Sequence, residues 1–159
     1  MVETLSIPLT IELADAVDLA DCRICLDESG LETYPLRHRL RRLIEENHVW
    51  VARNDENRVI GTIGFDDSLC HGALFAQFMG VRSAFRHHGV ASALLHHCME
   101  FARQRSMAHL IADVPLDNSV MTSTLSASGF RQIAPTRAKR LPQRPAVDSH
   151  LWGLRLAMK

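Results

Sequence analysis

The sequence lacks an excess of charge of either sign, and it lacks any long apolar run. It has 159 residues, and its 18 lysines and arginines equal its 18 aspartates and glutamates in number, so the formal net charge is zero. Such a chain has no general electrostatic attraction to nucleic acid, and no apolar stretch approaches the roughly 20 residues of a membrane-spanning helix. We therefore expect no nucleic-acid partner and no membrane association.

The N-terminus also lacks the basic start and the long apolar stretch of a signal peptide, so we expect a cytoplasmic location. Cysteine is sparse, and only one C-x-x-C occurs, at Cys22 and Cys25. With Cys70 and Cys98 these residues are predicted to be reduced thiols rather than a redox or metal centre. The length and the 47% hydrophobic content are typical of one globular domain, residues 1–159, as a monomer or a homodimer.

Hydrophobic periodicity predicts alternating strands and helices. Strands are expected over residues 7–13, 49–53, 59–65, 73–81, 109–114, 130–133 and 150–156. Helices are expected over residues 15–26, 36–46, 89–105 and 118–128. The proline-rich, basic segment 135–145 is expected to form a loop. The order β-α-α-β-β-β-α-β-α-β-β predicts an α/β (α+β) fold, with a mixed, mostly antiparallel central sheet and helices on both faces.

Two of the predicted helices have clear inner faces. In the first helix, the expected inner residues are Val17, Ala20 and Ile24, and Asp15 is a plausible N-cap. In the second helix, the apolar stripe consists of Leu36, Leu40, Leu43 and Ile44, and most of the arginines lie outside it.

The most informative stretch is 86–91, Arg-His-His-Gly-Val-Ala, between the 73–81 strand and the 89–105 helix. The first N–H groups of a helix have no acceptor inside it, and the helix dipole adds partial positive charge there. Gly89 and Ala91 leave the backbone accessible, and Arg86 adds a cation. The stretch therefore predicts an anion site. It is neither a P-loop nor a Rossmann fingerprint, and an ordinary strand–helix turn is the alternative.

The segment from Met79 to Phe130 resembles the core of the GCN5-related N-acetyltransferase (GNAT) family. In that family, a Val precedes Arg/Gln-x-x-Gly-x-Gly/Ala and a helix, and then come a strand, an Asn and a helix that ends in Gly-Phe. Here Val81 precedes the 86–91 stretch, Asn118 follows the 109–114 strand, and Gly129 and Phe130 end the last helix.

The resemblance implies an N-acetyltransferase that moves the acetyl group of acetyl-CoA to an amine of a small molecule or protein by direct attack. It implies that the phosphates lie over the 86–91 stretch and that the pantetheine arm binds the strand backbone like an added strand. The residues so assigned to the cofactor are Met79, Val81, Arg86, His87, His88, Gly89, Val90, Ala91, Ser92 and Asn118.

The chain departs from the family at the general acid. The family often has a Tyr seven residues after the Asn, and this chain has Leu125 there. A proton would then come from water or from the hydroxyl of Thr124 or Ser126. Asp113 and Tyr34 are the other candidate catalytic residues, and none stands out as a general base.

We expect no metal. The His87–His88 and His96–His97 pairs are not at the spacing of a helical zinc motif. Two alternatives to the enzyme remain. One is a catalytically weak or inactive CoA-binding or sensing domain on the same fold. The other is a basic-faced interaction module whose 86–91 stretch binds a phosphorylated partner.

Overall fold

The computed structural model describes residues 7–30, 37–68, 71–115, 119–134 and 149–156. Its helices are α1 (Leu19–Glu28), α2 (Arg37–Glu45), α3 (Val90–Gln104) and α4 (Ser119–Ala127). Short 3₁₀ turns precede α1 and α3, at Ala16–Asp18 and Ser83–Phe85. The strands are β1 (Thr10–Leu13), β2 (Val49–Arg53), β3 (Val59–Asp66), β4 (Ala73–Val81), β5 (His109–Pro115), β6 (Arg131–Gln132) and β7 (Ser149–Arg155).

The seven strands form one sheet in the order β1-β2-β3-β4-β5-β7-β6. Antiparallel ladders join β1 to β2, β2 to β3, β5 to β7 and β6 to β7, and a parallel ladder joins β4 to β5. The predicted element order and the mixed, mostly antiparallel α/β fold are confirmed. No helix in the described part of the chain is both long and apolar enough to cross a membrane.

Residue contacts divide the chain into two compact units. The N-terminal unit comprises the described residues 7–30, 37–65 and 78–97. The C-terminal unit comprises the described residues 66–68, 71–77, 98–115, 119–134 and 149–156. The single domain over residues 1–159 stays a prediction.

The inner face predicted for the first helix is wrong. Val17 is 85% exposed and Ile24 is 38% exposed, whereas Cys22, Cys25 and Leu26 are fully buried. The prediction assumed one α-helix from Asp15, but a 3₁₀ turn at Ala16–Asp18 shifts the helical register. Buried cysteines also behave as small apolar residues, so they can form the inner face. The helix therefore presents its cysteine face to the core.

The inner face predicted for α2 is confirmed for the residues that the structure describes. Leu40, Leu43 and Ile44 are buried, and Leu36 lies outside the described residues. These side chains pack with Cys22, Cys25 and Leu26 of α1, with Val49 and Val51 of β2, and with Phe78 of β4 in one hydrophobic cluster. This cluster is the core of the N-terminal unit on the α1 face of the sheet.

Two glycines let helices approach opposite faces of the sheet in the N-terminal unit. A Cβ on Gly80 of β4 would lie 2.6 Å from the Cys25 carbonyl oxygen of α1. A Cβ on Gly61 of β3 would lie 2.9 Å from Val90 Cγ1 of α3. Thr62, whose side chain points to the face opposite Gly61, contacts Cys22 Sγ of α1 at 3.6 Å. Helices α1 and α3 therefore cover opposite faces here, as the sequence predicted.

The C-terminal unit has its own core around the parallel β4–β5 ladder. The side chains of Ala73, Phe75, Ile111 and Leu151 form a buried cluster, and Ile133 packs against it. The predicted helix at 118–128 is observed as α4, and Gly129 follows it with φ +92°. The N–H of Phe130 donates to the Leu125 carbonyl at 3.0 Å, which closes the end of that helix.

We expect Gly80→Ala to lower the free energy of unfolding by about 2 kcal/mol, the scale of overpacking a core. The added methyl would meet main-chain atoms of α1, which cannot rotate away. Gly61→Ala is the matched control, and we expect a loss of about 1 kcal/mol because its nearest neighbours are rotatable side-chain methyls. Urea unfolding measures both values, and equal losses would contradict this account of the α1 contact.

His97 of α3 provides a pH-dependent contribution to stability. Its ring lies edge-on to buried Trp50 at 4.8 Å between centroids, and burial, with a smaller effect of His96, lowers the pKa of the His97 imidazole. The unfolded chain therefore binds this proton at a higher pH than the folded chain does. The contribution is present above the unfolded pKa of about 6.5 and is lost as the pH falls toward the folded value.

We accordingly expect the free energy of unfolding to be lower at about pH 5 than at about pH 8. His97→Gln removes part of this difference, whereas His96→Gln, at an exposed position, retains most of it. Urea titrations at the two pH values test the expectation. The same pH dependence in the His97 variant and the parent would exclude this histidine as its source.

Candidate functional site

Strand β4 leaves its neighbour before it ends. The parallel ladder with β5 runs from Ala73 opposite His109 to Ala76 opposite Ala112, and β4 continues to Val81. Phe78 has a φ of +52°, a left-handed backbone conformation that is rare for an aromatic residue in a strand. Such an outlier locally redirects a strand, and strain of this kind clusters at functional sites. Met79 and Val81, two of the predicted cofactor residues, follow it directly.

The backbone of Val81 is already hydrogen-bonded. Its N–H donates to Ser29 Oγ at 3.0 Å, and Ser29 Oγ lies 2.9 Å from the Cys25 carbonyl and 3.2 Å from the Val81 carbonyl. The next N–H, that of Arg82, donates to the Ile60 carbonyl of β3 at 2.8 Å. Successive N–H groups of a strand point to opposite edges, so the Val81 N–H points away from β3. Ser29 Oγ therefore occupies the position from which another acceptor could bind the Val81 N–H.

The 86–91 stretch forms a turn that ends in the start of α3. Its backbone has positive φ at His87, +63°, and at Gly89, +83°. The first helical hydrogen bond of α3 is donated by Ala93 to the Gly89 carbonyl at 3.0 Å. Among the described residues no acceptor is found for the backbone N–H groups of Gly89, Val90, Ala91 and Ser92. Unpaired amides at a helix start are the donors that anions bind.

The side chains around this helix start differ in their surroundings. His87 is exposed, and His88 and Arg86 are half-buried. Arg86 donates from its guanidinium to the main-chain carbonyl of Glu28, at the end of α1. This bond anchors the Arg86 guanidinium, the cation predicted to bind phosphate, to the end of α1. Arg86 would therefore contribute to an anion site from the end of α1.

Further contacts from α1 fix the segment between β4 and α3. Glu28 Oε1 accepts hydrogen bonds from the Ser83 hydroxyl at 2.7 Å and from the Ser83 N–H at 2.9 Å. These two donors lower the pKa of the Glu28 carboxyl. Buried Arg82 donates to Asp21 Oδ1 and to the Val59 carbonyl, each at 2.8 Å. The turn that presents the α3 start is therefore held by α1 and β3.

The candidate proton donors and bases that the structure describes lie in the C-terminal unit. Leu125 is fully buried, so its side chain packs in the core of that unit. Thr124 Oγ1 donates to the Val120 carbonyl at 3.0 Å, which engages its proton inside α4. Ser126 is exposed, and Asp113 is half-buried in β5 opposite Leu151. Of these hydroxyls, Ser126 is the one with a solvent-facing side chain.

Two predicted site residues, Tyr34 and Asn118, lie outside the described residues, as do Cys70 and the whole basic loop 135–145. The cofactor residues that the structure does describe, Met79, Val81 and 86–92, all lie in the N-terminal unit. Their assignment to a cofactor stays a prediction.

The cysteines have the character of packing residues. Cys22, Cys25 and Cys98 are free and buried. Burial raises the pKa of Cys22 to about 11 and that of Cys25 to about 12, and it also raises the pKa of Cys98. Thiols with raised pKa values are protonated at neutral pH and react slowly. No group of three His, Cys, Asp or Glu side chains that could hold a metal occurs within the described ranges.

Sequence reasoning missed the polar side of α1. Asp21, Glu28 and Ser29 bind residues that follow 52 to 61 positions later in the chain. A signal was present, because these residues recur at helical spacing on the flank of the cysteine face. The pattern indicated a polar stripe on the helix but not the segment that it contacts.

Comparison with known proteins adds the family. The model of the acetyltransferase (GNAT) family matches residues 17–130. No curated protein matches the chain. Among solved structures, a GNAT-family acetyltransferase from Staphylococcus aureus Mu50 is similar with a TM-score of 0.81 at 16% identity, over 94% of this chain and 100% of that one.

Two further structures have the same fold. An acetyltransferase from Streptococcus agalactiae 2603 has a TM-score of 0.75 at 18% identity, over 93% of this chain and 98% of that one. Ard1 from Thermoplasma volcanium has a TM-score of 0.74 at 19% identity, over 94% of this chain and 98% of that one. At these identities the structures show the fold, and the family match covers most of the chain. The chain therefore belongs to the GNAT family of acetyltransferases.

Proposed function

We propose that this protein is an N-acetyltransferase that moves the acetyl group of acetyl-CoA to an amine by direct attack. The observation that carries the proposal is the set of backbone N–H groups at Gly89–Ser92, which have no acceptor among the described residues and follow a strained β4 in a chain of the GNAT family. Backbone amides at the positive end of a 15-residue helix suit the negative charge of a pyrophosphate. We place the pyrophosphate there and the pantetheine arm along β4 at Met79 and Val81.

The small residues at the start of α3 also support the proposal. Gly89 and Ala91 keep large side chains away from the helix start, and Ser92 adds a hydroxyl to the first turn. Because α1 already holds Ser83, Arg82 and Arg86, the turn needs little reordering when an anion binds. A preorganised site loses less entropy on binding.

The chemistry requires the amine nitrogen to bond to the acetyl carbon while the carbon–sulfur bond breaks and the amine loses a proton. The thiol of CoA has a pKa near that of cysteine, about 8.5, so it can leave as a thiolate without a phenol. This matters because Leu125 stands where the family often has Tyr. We propose that water supplies the proton that the thiolate takes up.

The alternative is a CoA-binding or sensing domain with little or no catalysis, and the buried Leu125 favours it. General-acid catalysis contributes about a hundredfold or more, so its loss would slow the enzyme without abolishing turnover. Calorimetry with acetyl-CoA and CoA, followed by thiol release with a panel of amines, separates the two. Firm CoA binding without release of thiol from any amine would favour the sensing domain.

We expect Ala91→Glu to weaken CoA binding about tenfold or more at low salt. The new carboxylate lies in the first turn of α3, where it favours the helix but repels the pyrophosphate. Ala91→Gln is the matched control, since it adds the same bulk without the charge. Calorimetry at low and high salt measures the difference, and melting temperatures check the fold. Equal affinities of the two variants would place the phosphates elsewhere.

Ser29 allows a test of the pantetheine position. If the arm uses the Val81 N–H, binding must break the Ser29–Val81 hydrogen bond, which is worth about 1 kcal/mol. We therefore expect Ser29→Ala to tighten CoA binding about threefold to fivefold and to lower the melting temperature slightly. Adenosine 3′,5′-bisphosphate, which lacks the arm, is the control ligand. If the variant tightened binding of that ligand equally, the arm would not lie at Val81.

A further inference from the structure

Helix α2 concentrates positive charge in a chain whose formal net charge is zero. Its buried stripe is Leu40, Leu43 and Ile44, and the side chains of His38, Arg39, Arg41 and Arg42 are exposed. These cations differ in what they contact. Arg42 pairs with Glu46 on the same helix at 2.9 Å, whereas Arg39 reaches out of the helix to the strand β4.

The contact of Arg39 is with the strained residue of β4. Its guanidinium carbon lies 5.4 Å from the centroid of the Phe78 ring, within the range of a cation–π interaction. Phe78 is buried and directly precedes Met79. With the phosphates at Gly89 and the pantetheine arm along Val81 and Met79, the arm runs back along β4 toward Phe78. The acyl end then lies on the Phe78 side, where the Arg39 guanidinium contacts the strand.

A second cation on the adjacent helix has an unused donor. Arg23 of α1 is half-buried, and its Nε is buried with no acceptor in the described part of the chain. Helices α1 and α2 and the Phe78 side chain belong to one hydrophobic cluster. A buried donor without an acceptor costs free energy.

We propose that the acceptor amine carries an anionic group, a carboxylate or a phosphate, and that Arg39 binds this group beside the acyl end of the cofactor. This inference rests on the proposed function and specifies its substrate class. Arg39 is suited to the task because its guanidinium presents a planar fork of donors that matches both anions. Its stacking on Phe78 restricts the side chain before the anion arrives, which lowers the entropic cost of binding.

The test uses pairs of amines that differ only in the charge of one group: phosphoethanolamine with ethanolamine, and alanine with alaninamide. We expect the parent protein to show a higher kcat/KM for the anionic member of each pair. Arg39→Gln is expected to lower kcat/KM for the anionic member about tenfold more than for its neutral partner. Arg39→Lys, which keeps the charge but not the fork, is expected to lie between the two.

Arg41→Gln is the matched control, because it removes the same charge from an exposed position of the same helix. A direct readout comes from calorimetric titration of phosphoethanolamine into the protein saturated with CoA, where Arg39→Gln should weaken binding and Arg41→Gln should not. If Arg39→Gln and Arg41→Gln had equal effects, or if neither pair of amines showed a preference for the anion, the inference would be wrong. A preference confined to one of the two pairs would identify the anion as phosphate or as carboxylate.

CoA binding separates this inference from the proposed function. If CoA binds and both members of each pair are acetylated equally well, the proposed acetyltransferase function is supported and the proposal of an anionic acceptor is wrong. If the parent neither binds CoA nor releases thiol with any amine, the proposed function fails, and the inference fails with it.

Discussion

The architecture of the candidate site depends on the approach of the α1 main chain to β4 at Gly80. Because that residue has no side chain, the last turn of α1 comes close enough for Ser29 to bond the Val81 backbone and for Glu28 to bond Ser83. The same approach places Asp21 against Arg82. These contacts hold the segment between β4 and α3. The geometry of the α3 start is thus determined largely by a helix that is distant in sequence.

The fixed turn and the helix start have complementary roles. The side chains of Ser83, Arg82 and Arg86 are engaged by the protein itself, whereas the amides of 89–92 have no acceptor in the described residues. Rigid support beneath unpaired donors is the arrangement that favours a ligand over water, because the donors are already oriented. His87 and Gly89 shape this turn with left-handed backbones, and only His87 does so at a conformational cost, because glycine adopts positive φ freely.

Sequence reasoning succeeded where the determinants are local. The strand, the glycine turn and the start of α3 follow one another in the chain, so periodicity and turn chemistry predicted them. It failed for the inner face of α1, because the 3₁₀ turn shifts the helical register and the cysteines were not counted as core residues. It could not find the bonds of Ser29, Glu28 and Arg82, which join residues more than 50 positions apart. No local sequence pattern predicts the left-handed conformation of Phe78 either.

The contact at Gly80 also bears on how such a fold changes over evolution. Main-chain atoms of α1 make the close approach, and main-chain atoms are the same whatever the residue. Many side chains on α1 can therefore be exchanged without altering this contact, provided that the glycine opposite is kept. A fold in which the critical contact is made by main-chain atoms tolerates extensive divergence of sequence. Solved structures with 16% to 19% identity overlap this one with TM-scores between 0.74 and 0.81.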